Sequence, residues 1–198
     1  MKVFMRIRDD KPKSEVREWI ESIVIAVILA LFIRTFIVQA FKIPTGSMRL
    51  TLIEGDRILV NKLCYGPKVP FSNLRIPGYG KPKRGDVVVF IYPEDPKRDF
   101  IKRLIAVGGE TVELKNGDVY INGREVKDFP IKNIYYYNRG DYGQVNQKII
   151  VPADSYFVLG DNSGSSKDSR YWGFVPQNFL VGKAGMIYWP PARIRFIK

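Results

Sequence analysis

The sequence predicts a mainly β domain behind one N-terminal membrane helix, and three features predict it. A long apolar segment, residues 19–40, lies near the N-terminus. Beyond it, short β-branched and aromatic runs alternate with glycine, proline and asparagine, which is typical of strands joined by turns. The length of 198 residues suits one domain with a small extension, since domains usually have ~100 to 200 residues.

The apolar segment is long enough to span a bilayer. Its eleven uninterrupted apolar residues, from Ile23 to Ile33, are too few by themselves, because crossing the hydrocarbon takes roughly 20 helical residues. Trp19 to Val38 supplies that number. Arg34 lies about one turn from the far end, where its side chain can extend to the headgroups.

The residues before this segment are basic, with six Lys and Arg against three acidic residues up to position 17. The positive-inside rule therefore makes residues 1–18 a cytoplasmic tail and residues 41–198 an extracytoplasmic domain of a single-pass protein of the cell membrane. Two alternatives stay open. Val38-Gln39-Ala40 resembles a signal-peptide cleavage site, although Arg34 and Thr35 interrupt the segment just before it. The second alternative is a buried core helix, but the residues downstream are predicted to form strands and offer few helices for it to pack against.

Seven runs predict the strands of an antiparallel, mainly β domain. Asn116-Gly117 between two of them predicts a tight hairpin. Two regions are predicted as loop-like insertions, residues 66–84 and residues 128–149. The seven runs are residues 56–62, 85–92, 99–107, 111–115, 118–121, 155–161 and 184–189.

Composition excludes several kinds of catalytic site. The chain has no histidine and one cysteine, Cys64, so a Ser-His-Asp triad, a Cys-His pair, a histidine metal site and an intramolecular disulfide are all ruled out. We expect no metal and no cofactor. The net charge of +12 indicates an anionic partner, nucleic acid or lipid headgroups, and the apolar segment favours the lipid.

A serine nucleophile needs a base to take its proton, and without histidine the known partner is lysine. Ser47 lies just behind the apolar segment, although Pro44-Thr45-Gly46-Ser47 is also good turn chemistry. Lys102 lies within the apolar run 100–107, and desolvation there would lower the pKa of its amine from about 10.4. The alternative is that Lys102 points to solvent from a half-buried strand.

Four motifs, in this order, resemble the conserved boxes of type I signal peptidase: PTGSM, GDRILVNK, FIKRLIAVGGE and GDNSGSSKDSRYWGFV. With the membrane segment, the resemblance extends from about residue 15 to the C-terminus. It implies a membrane-bound serine endopeptidase that removes signal peptides from exported preproteins. It also implies a coiled antiparallel β-sheet catalytic domain with a Ser/Lys dyad.

The resemblance assigns roles by position. Ser47 matches the nucleophile and Lys102 the general base, while Thr45 matches the hydroxyl that joins the Ser47 amide in the oxyanion hole. Ser166 matches the hydroxyl that bonds and orients the lysine amine. The remaining matches are an ion pair behind the site, Asp168 and Arg170, and the apolar residues of the substrate pockets, Phe41, Ile43, Met48 and Ile101.

Some of these positions have a structural alternative, and two depart from the family pattern. The pair of Asp168 and Arg170 is also consistent with a salt bridge at the rim of the site, which would contribute little to stability. Residues 160–162 are also consistent with ordinary turn residues. Leu50 stands where the family usually has proline, and Ser163 where arginine is common. Their effect on the local turns is left open.

Two other functions fit parts of the sequence. A basic β-barrel that binds nucleic acid would use the charge of +10 beyond residue 40, from 25 basic and 15 acidic residues, but the membrane segment argues against it. A Ser/Lys peptidase dedicated to one pilin or conjugation protein is closer. The predicted partners are preprotein signal peptides and anionic lipid headgroups, with no nucleic acid. Contact with the secretion machinery and the oligomeric state stay open.

Overall fold

A computed structural model describes residues 15–70, 72 and 74–197. Most of the predicted cytoplasmic tail, residues 1–14, lies outside the described residues. The first element is a helix, α1, at Glu15–Phe32, which continues as a π-helical turn at Ile33–Ile37. None of its residues is buried, and it is long and apolar enough to cross a membrane. Its 23 residues span about 34 Å at ~1.5 Å per residue.

The helix ends earlier than the sequence suggested. Residues 38–40, which the apolar segment included, lie in the first strand, β1 (Val38–Lys42). Lys62 holds this junction, because its backbone N–H donates to the Ile37 carbonyl at 2.9 Å and its amine donates to the carbonyls of Arg34 and Thr35 at 3.2 and 3.0 Å. These contacts satisfy carbonyl groups that a helix end leaves unpaired.

The remaining strands all pair antiparallel and form two sheets. They are β2 (Arg57–Asn61), β3 (Val87–Ile91), β4 (Asp99–Val107), β5 (Thr111–Lys115), β6 (Asp118–Ile121), β7 (Arg124–Glu125), β8 (Lys148–Ile150), β9 (Ser155–Leu159), β10 (Val175–Pro176), β11 (Leu180–Trp189) and β12 (Arg195–Phe196). The larger sheet has the order β1-β2-β11-β3-β4-β9-β10, with β12 on β11, and the smaller one β7-β6-β5-β8.

The larger sheet is curled. Its register shifts twice where β11 pairs with β2, once where β11 pairs with β3 and once where β4 pairs with β9. Such irregularities bend a strand and increase its twist. The predicted fold class, a coiled antiparallel β-sheet domain behind one apolar helix, is therefore confirmed.

Each of the seven predicted runs overlaps a strand, although β11 begins at Leu180, before its run. The strands β1, β7, β8, β10 and β12 were not predicted. The hairpin between β5 and β6 turns at Asn116 and Gly117, which have φ of 53° and 90°, as a primed turn requires. Residues 66–84 hold an isolated bridge between Lys68 and Arg75, and residues 128–149 include a 3₁₀ turn at Ile131–Asn133 and the start of β8.

One of the buried apolar clusters supports the loop after β1. Its nine buried members come from that loop and from strands β2, β3 and β11. Ile43, Met48 and Leu52 are the loop's contribution, and each is at most 2% exposed. These three apolar side chains therefore pack the loop that carries Ser47 onto the larger sheet.

Candidate active site

Ser47 lies in a fixed turn at one end of the larger sheet. The turn is a single 3₁₀ turn, Gly46–Met48, and Ser47 is 9% exposed. Asn162 holds it from outside, since its backbone N–H donates to the Ser47 carbonyl at 3.0 Å and its side-chain amide donates to the Gly46 carbonyl at 2.9 Å. The serine is thus positioned from two sides, by Met48 below and Asn162 beside it.

The Lys102 amine contacts the Ser47 hydroxyl directly. Lys102 lies on β4, where it pairs with Val88 of β3, and it is 3% exposed. Its Nζ donates to Ser47 Oγ at 2.6 Å and to the Ile101 carbonyl at 3.1 Å. The same Nζ lies 5.4 Å from the centre of the Phe100 ring. The fold therefore brings together the two residues that the sequence singled out, 55 positions apart.

Burial lowers the pKa of Lys102 to about 8, because the charged amine is taken out of water. The carboxylates of Asp168 and Asp161 oppose this shift, and Arg170 adds to it. An amine with that pKa is neutral in a substantial fraction of molecules near pH 8. A neutral amine within 3 Å of a hydroxyl has the geometry and the proton affinity of a general base.

Two donors face the cleft beside Ser47. Thr45 is exposed and lines the cleft, and its hydroxyl makes no hydrogen bond with the described residues. Ser47 is the second residue of its 3₁₀ turn, a position whose N–H has no acceptor within the helix. The hydroxyl of Thr45 and the amide of Ser47 are thus both available to an incoming oxygen atom.

Ser166 lies close to the dyad without the bond that the resemblance implied. It is 5% exposed, and its Oγ has no hydrogen-bond partner among the described residues, since the bonds of the Lys102 amine go to Ser47 and Ile101. Gly160 makes this close packing possible. A Cβ at Gly160 would come within 2.1 Å of Ser166 Oγ and 2.5 Å of the Ser47 carbonyl. A residue with a side chain would therefore clash with both, so position 160 requires glycine.

Asp168 and Arg170 form a buried ion pair. Their two parallel bonds, Nε to Oδ1 and Nη2 to Oδ2, both measure 2.8 Å, and both side chains are fully buried. The alternative of a salt bridge at the rim is therefore wrong. Asp168 caps a short helix, α2 (Ser169–Trp172), that begins between the two residues.

The two residues that depart from the family pattern are Ser163, which makes two hydrogen bonds through its side chain, and Leu50, which has a positive φ. Ser163 Oγ accepts hydrogen bonds from the Tyr137 N–H at 3.0 Å and from Arg170 Nη1 at 2.9 Å, so its short hydroxyl joins the ion pair to the loop of the smaller sheet. Leu50 has φ of 94° and is 75% exposed. Proline holds φ near about −65° and could not adopt the Leu50 conformation, so the turn here differs from one that contains proline.

Sequence reasoning missed a second buried ion pair. Arg103 donates to Asp161 through Nε at 2.8 Å and Nη2 at 2.6 Å, and Thr51 Oγ1 also donates to this carboxylate. Both charged side chains are fully buried, so the interpretation of Asp161 as an ordinary turn residue is wrong. The sequence signal for this pair was the presence of two consecutive charges, Lys102 and Arg103, on one apolar strand. Consecutive side chains of a strand point to opposite faces, so both charges could be buried, and a buried charge needs a partner.

The cleft beside the dyad has a volume of about 690 Å³. Of the four predicted pocket residues, Ile101 lines it. Ile43 and Met48 instead belong to the buried cluster beneath the loop, and Phe41 packs against that cluster. These three residues form an apolar layer behind the cleft rather than its wall.

One edge of β4 is open beside this cleft. Residues 99–102 pair with β3, but pairing with β9 on the other side begins only at Arg103, opposite Leu159. An unpaired strand edge is a template for an extended peptide. Among the described residues, no group of three or more His, Cys, Asp or Glu side chains is arranged to hold a metal ion.

Comparison with known proteins decides the family. The family model described as signal peptidase, peptidase S26, matches residues 16–189. The chain belongs to this family. It is 39% identical over 191 residues to a signal peptidase I of Leptolyngbya laminosa, covering 93% of this chain and 85% of the relative. It is 34% identical over 200 residues to a signal peptidase I of Pseudomonas aeruginosa, covering 84% and 70%.

A solved signal peptidase I from Enterococcus faecalis is 36% identical, with a TM-score of 0.43, over 52% of this chain and 96% of that one. The family model and the curated relatives confirm the resemblance in the four sequence motifs as family membership. As a member of the signal peptidase family, the chain is a serine endopeptidase, a hydrolase.

Proposed function

We propose that this chain is a membrane-anchored signal peptidase that cleaves signal peptides from exported preproteins, with Ser47 as nucleophile and Lys102 as general base. The observation that carries the proposal is the 2.6 Å hydrogen bond from Lys102 Nζ to Ser47 Oγ. The buried amine has a pKa lowered to about 8 by desolvation, which suits proton transfer near neutral pH. Family membership supports the substrate class.

In the acylation step, neutral Lys102 takes the proton of the Ser47 hydroxyl as Oγ attacks the carbonyl carbon of the scissile bond. The resulting oxyanion accepts hydrogen bonds from the Thr45 hydroxyl and the Ser47 amide. These bonds strengthen as negative charge develops on the carbonyl oxygen. The ammonium of Lys102 then gives its proton to the departing amine. An ester joins the signal peptide to Ser47, and the mature protein leaves.

In the deacylation step, Lys102, neutral again, takes a proton from water as the water oxygen attacks the ester carbonyl. The ester bond then breaks, the ammonium returns that proton to Ser47 Oγ, and the signal peptide leaves with a free carboxyl end. Ser47 Oγ is bonded to the substrate at this stage and accepts less well from the amine. Ser166, whose buried Oγ has no partner among the described residues, offers the amine a second acceptor. We assign Ser166, Asp168 and Arg170 to positioning rather than to bond making.

The substrate binds as an added strand on the open edge of β4, residues 99–102. Its small side chains before the cut face Ile101, which lines the cleft. Ile43 and Met48 are buried behind the cleft and Phe41 packs against them, so we expect only shallow depressions there, which accept small residues and reject large ones.

The anchor is α1 with its π-helical turn, which we propose spans the cell membrane with the N-terminus in the cytoplasm and residues 41–198 outside. Only eight residues separate Val38 from Ser47, which confines the serine within about 30 Å of the bilayer, where a signal peptide ends. Alkaline carbonate should leave the protein in the membrane, and protease added outside should digest the domain. Release by carbonate, or a mature N-terminus at Phe41, would contradict this.

The basic surface of the domain is proposed to contact anionic headgroups, with up to ~1 kcal/mol for each well-placed Lys or Arg. In proteoliposomes, protection of surface lysines from amine labelling should be greater with anionic than with neutral lipid, and salt should abolish the difference. Equal labelling in both lipids would remove this proposal.

The function itself is tested by incubating the detergent-solubilised protein with several unrelated preproteins and sequencing the new N-termini. Cleavage after small residues at the end of each signal peptide is expected, and Ser47→Ala should abolish it. Cleavage of one preprotein out of the panel would instead favour a peptidase dedicated to a single substrate.

A further inference from the structure

A second groove opens from the catalytic cleft. It has a volume of about 410 Å³ and shares Arg49 and Asn162 with the cleft. We call it the tyrosine groove and define it by Arg49, Leu50, Asn133, Tyr135, Tyr137 and Asn162. Because the two cavities have wall residues in common, a peptide in the cleft can continue into the groove without leaving the surface.

The two tyrosines of the groove are exposed but firmly held. Tyr135 and Tyr137 are 58% and 46% exposed, and their rings meet edge to face with centroids 4.9 Å apart. The ring of Tyr135 packs against the hairpin, where a Cβ at Gly117 would come within 2.2 Å of it. The backbone of Tyr137 is bonded to Ser163 at 3.0 Å and Arg170 at 2.8 Å. Exposed, rigid aromatic surface binds at low entropic cost.

The direction of the substrate follows from the open edge of β4. Asp99, at the start of that edge, is close enough to the ammonium of Lys62 for the two charges to interact. Lys62 also bonds the carbonyl groups at the end of the membrane helix. The Asp99 end of the edge therefore lies toward the membrane, so a signal peptide would enter there and reach Ser47 beside Lys102.

The peptide cannot continue along β4 beyond Lys102, because β9 occupies that edge from Arg103 onward. Ser47 itself lies between Lys102 on one side and Asn162 on the other. The chain that follows the scissile bond must therefore pass over Asn162, which is where the tyrosine groove begins.

The groove is within reach of the first few residues after the cut. The Asn162 N–H lies 3.0 Å from the Ser47 carbonyl, and Ser163, the next residue, bonds the Tyr137 N–H at 3.0 Å. Tyr137 is thus connected to Ser47 through two hydrogen bonds and the two consecutive residues Asn162 and Ser163. An extended peptide, at ~3.3 to 3.6 Å per residue, therefore reaches it within the first few residues.

We infer that the tyrosine groove binds the N-terminal segment of the mature protein, about the second to fourth residues after the scissile bond. This inference rests on the proposed function. The aromatic pair offers flat surface to a backbone and to apolar side chains. Arg139, whose guanidinium lies 5.1 Å from the centre of the Tyr137 ring, adds positive charge that favours acidic side chains in this segment.

The test compares two substrates that share one signal peptide, using the full chain in detergent. One ends a single residue after the cut, and the other continues for about five residues, enough to reach the groove. The wild-type protein should cleave the longer substrate with the higher kcat/KM. In Tyr135→Ala/Tyr137→Ala, the ratio of long to short kcat/KM should fall about fivefold to tenfold, mainly through KM.

Two controls separate binding from folding. Tyr135→Phe/Tyr137→Phe keeps both rings and should keep the ratio, as should Tyr79→Ala, which removes a tyrosine that is 75% exposed elsewhere. An unchanged ratio in the double alanine variant, or an equal loss with both substrates, would overturn the inference. If the wild-type protein cleaved neither substrate, the proposed function itself would fail.

Discussion

Lys102 and Arg103 are consecutive residues of one strand, and both are buried, each with a different partner. The amine of Lys102 reaches Ser47 at 2.6 Å, and the guanidinium of Arg103 reaches Asp161 at 2.6 Å. The two partners are themselves connected, because the Asp161 N–H contacts the sulfur of Met48, the residue after Ser47. One strand therefore supplies the candidate base and a buried anchor for the turn beside it.

Replacing Lys102 should abolish cleavage. Lys102→Met keeps an apolar side chain without an amine, whereas Lys102→Arg keeps a charge that cannot be lost near neutral pH. Both should be as inactive as Ser47→Ala, since residues that act as a unit fail together. The wild-type rate should rise with pH up to about 8, where the buried amine loses its proton. A Lys102→Met protein with the same pH profile would mean that another group deprotonates Ser47.

The same Lys102→Met variant should be more stable than the wild type at pH 7. The pKa of the amine is about 8 in the folded protein against 10.5 when exposed, so the unfolded chain binds more protons between these values. Burial of Lys102 therefore costs up to ~3 kcal/mol below pH 8, and the cost fades as the pH rises toward 10.5. Urea unfolding at pH 7 and pH 10 measures it, and a less stable variant at pH 7 would contradict it.

Thr45→Ala should lower kcat about 10²-fold to 10³-fold with little change in KM, because its hydroxyl bonds strongly only to the developing oxyanion. Thr45 is exposed in the cleft, so the folded structure should not depend on it. Thr45→Ser, which keeps the hydroxyl, should retain most of the rate. Steady-state kinetics on one preprotein decides this, and an unchanged kcat in Thr45→Ala would assign the oxyanion hole to other donors.

Asp168→Asn should destabilise the domain by ~3 to 5 kcal/mol, because it leaves the Arg170 guanidinium buried without its countercharge. The matched control is Glu94→Gln, which breaks the ion pair with Lys167 at the surface, where the two side chains are 50% and 59% exposed. Its denaturation midpoint should stay close to that of the wild type. Similar midpoints for the two variants would mean that the buried pair contributes no more than a surface one.

Much of the fold was predictable because its signals are local. Seven strands, β2 to β6, β9 and β11, follow from runs of β-branched and aromatic residues, and the turn at Asn116-Gly117 follows from the two residues that adopt it. The short strands β7, β10 and β12 carry no such pattern, since they form only where a neighbouring strand offers an edge. The change from helix to strand at Val38 was equally invisible, because the apolar run continues through it and pairing with β2 decides the conformation.

For the site, the sequence predicted the chemistry: the absence of histidine left lysine as the partner for a serine nucleophile, and the motifs around Ser47 and Lys102 indicated the family. Which polar groups are buried together depends on tertiary packing. The partners of Asp161 and Asp168 are bonded in the same way, but Arg170 is two residues from Asp168 whereas Arg103 is 58 positions from Asp161. A pairing over that distance depends on how β4 and the turn after β9 pack, and desolvation, which lowers the pKa of Lys102, exists only once that packing has excluded water.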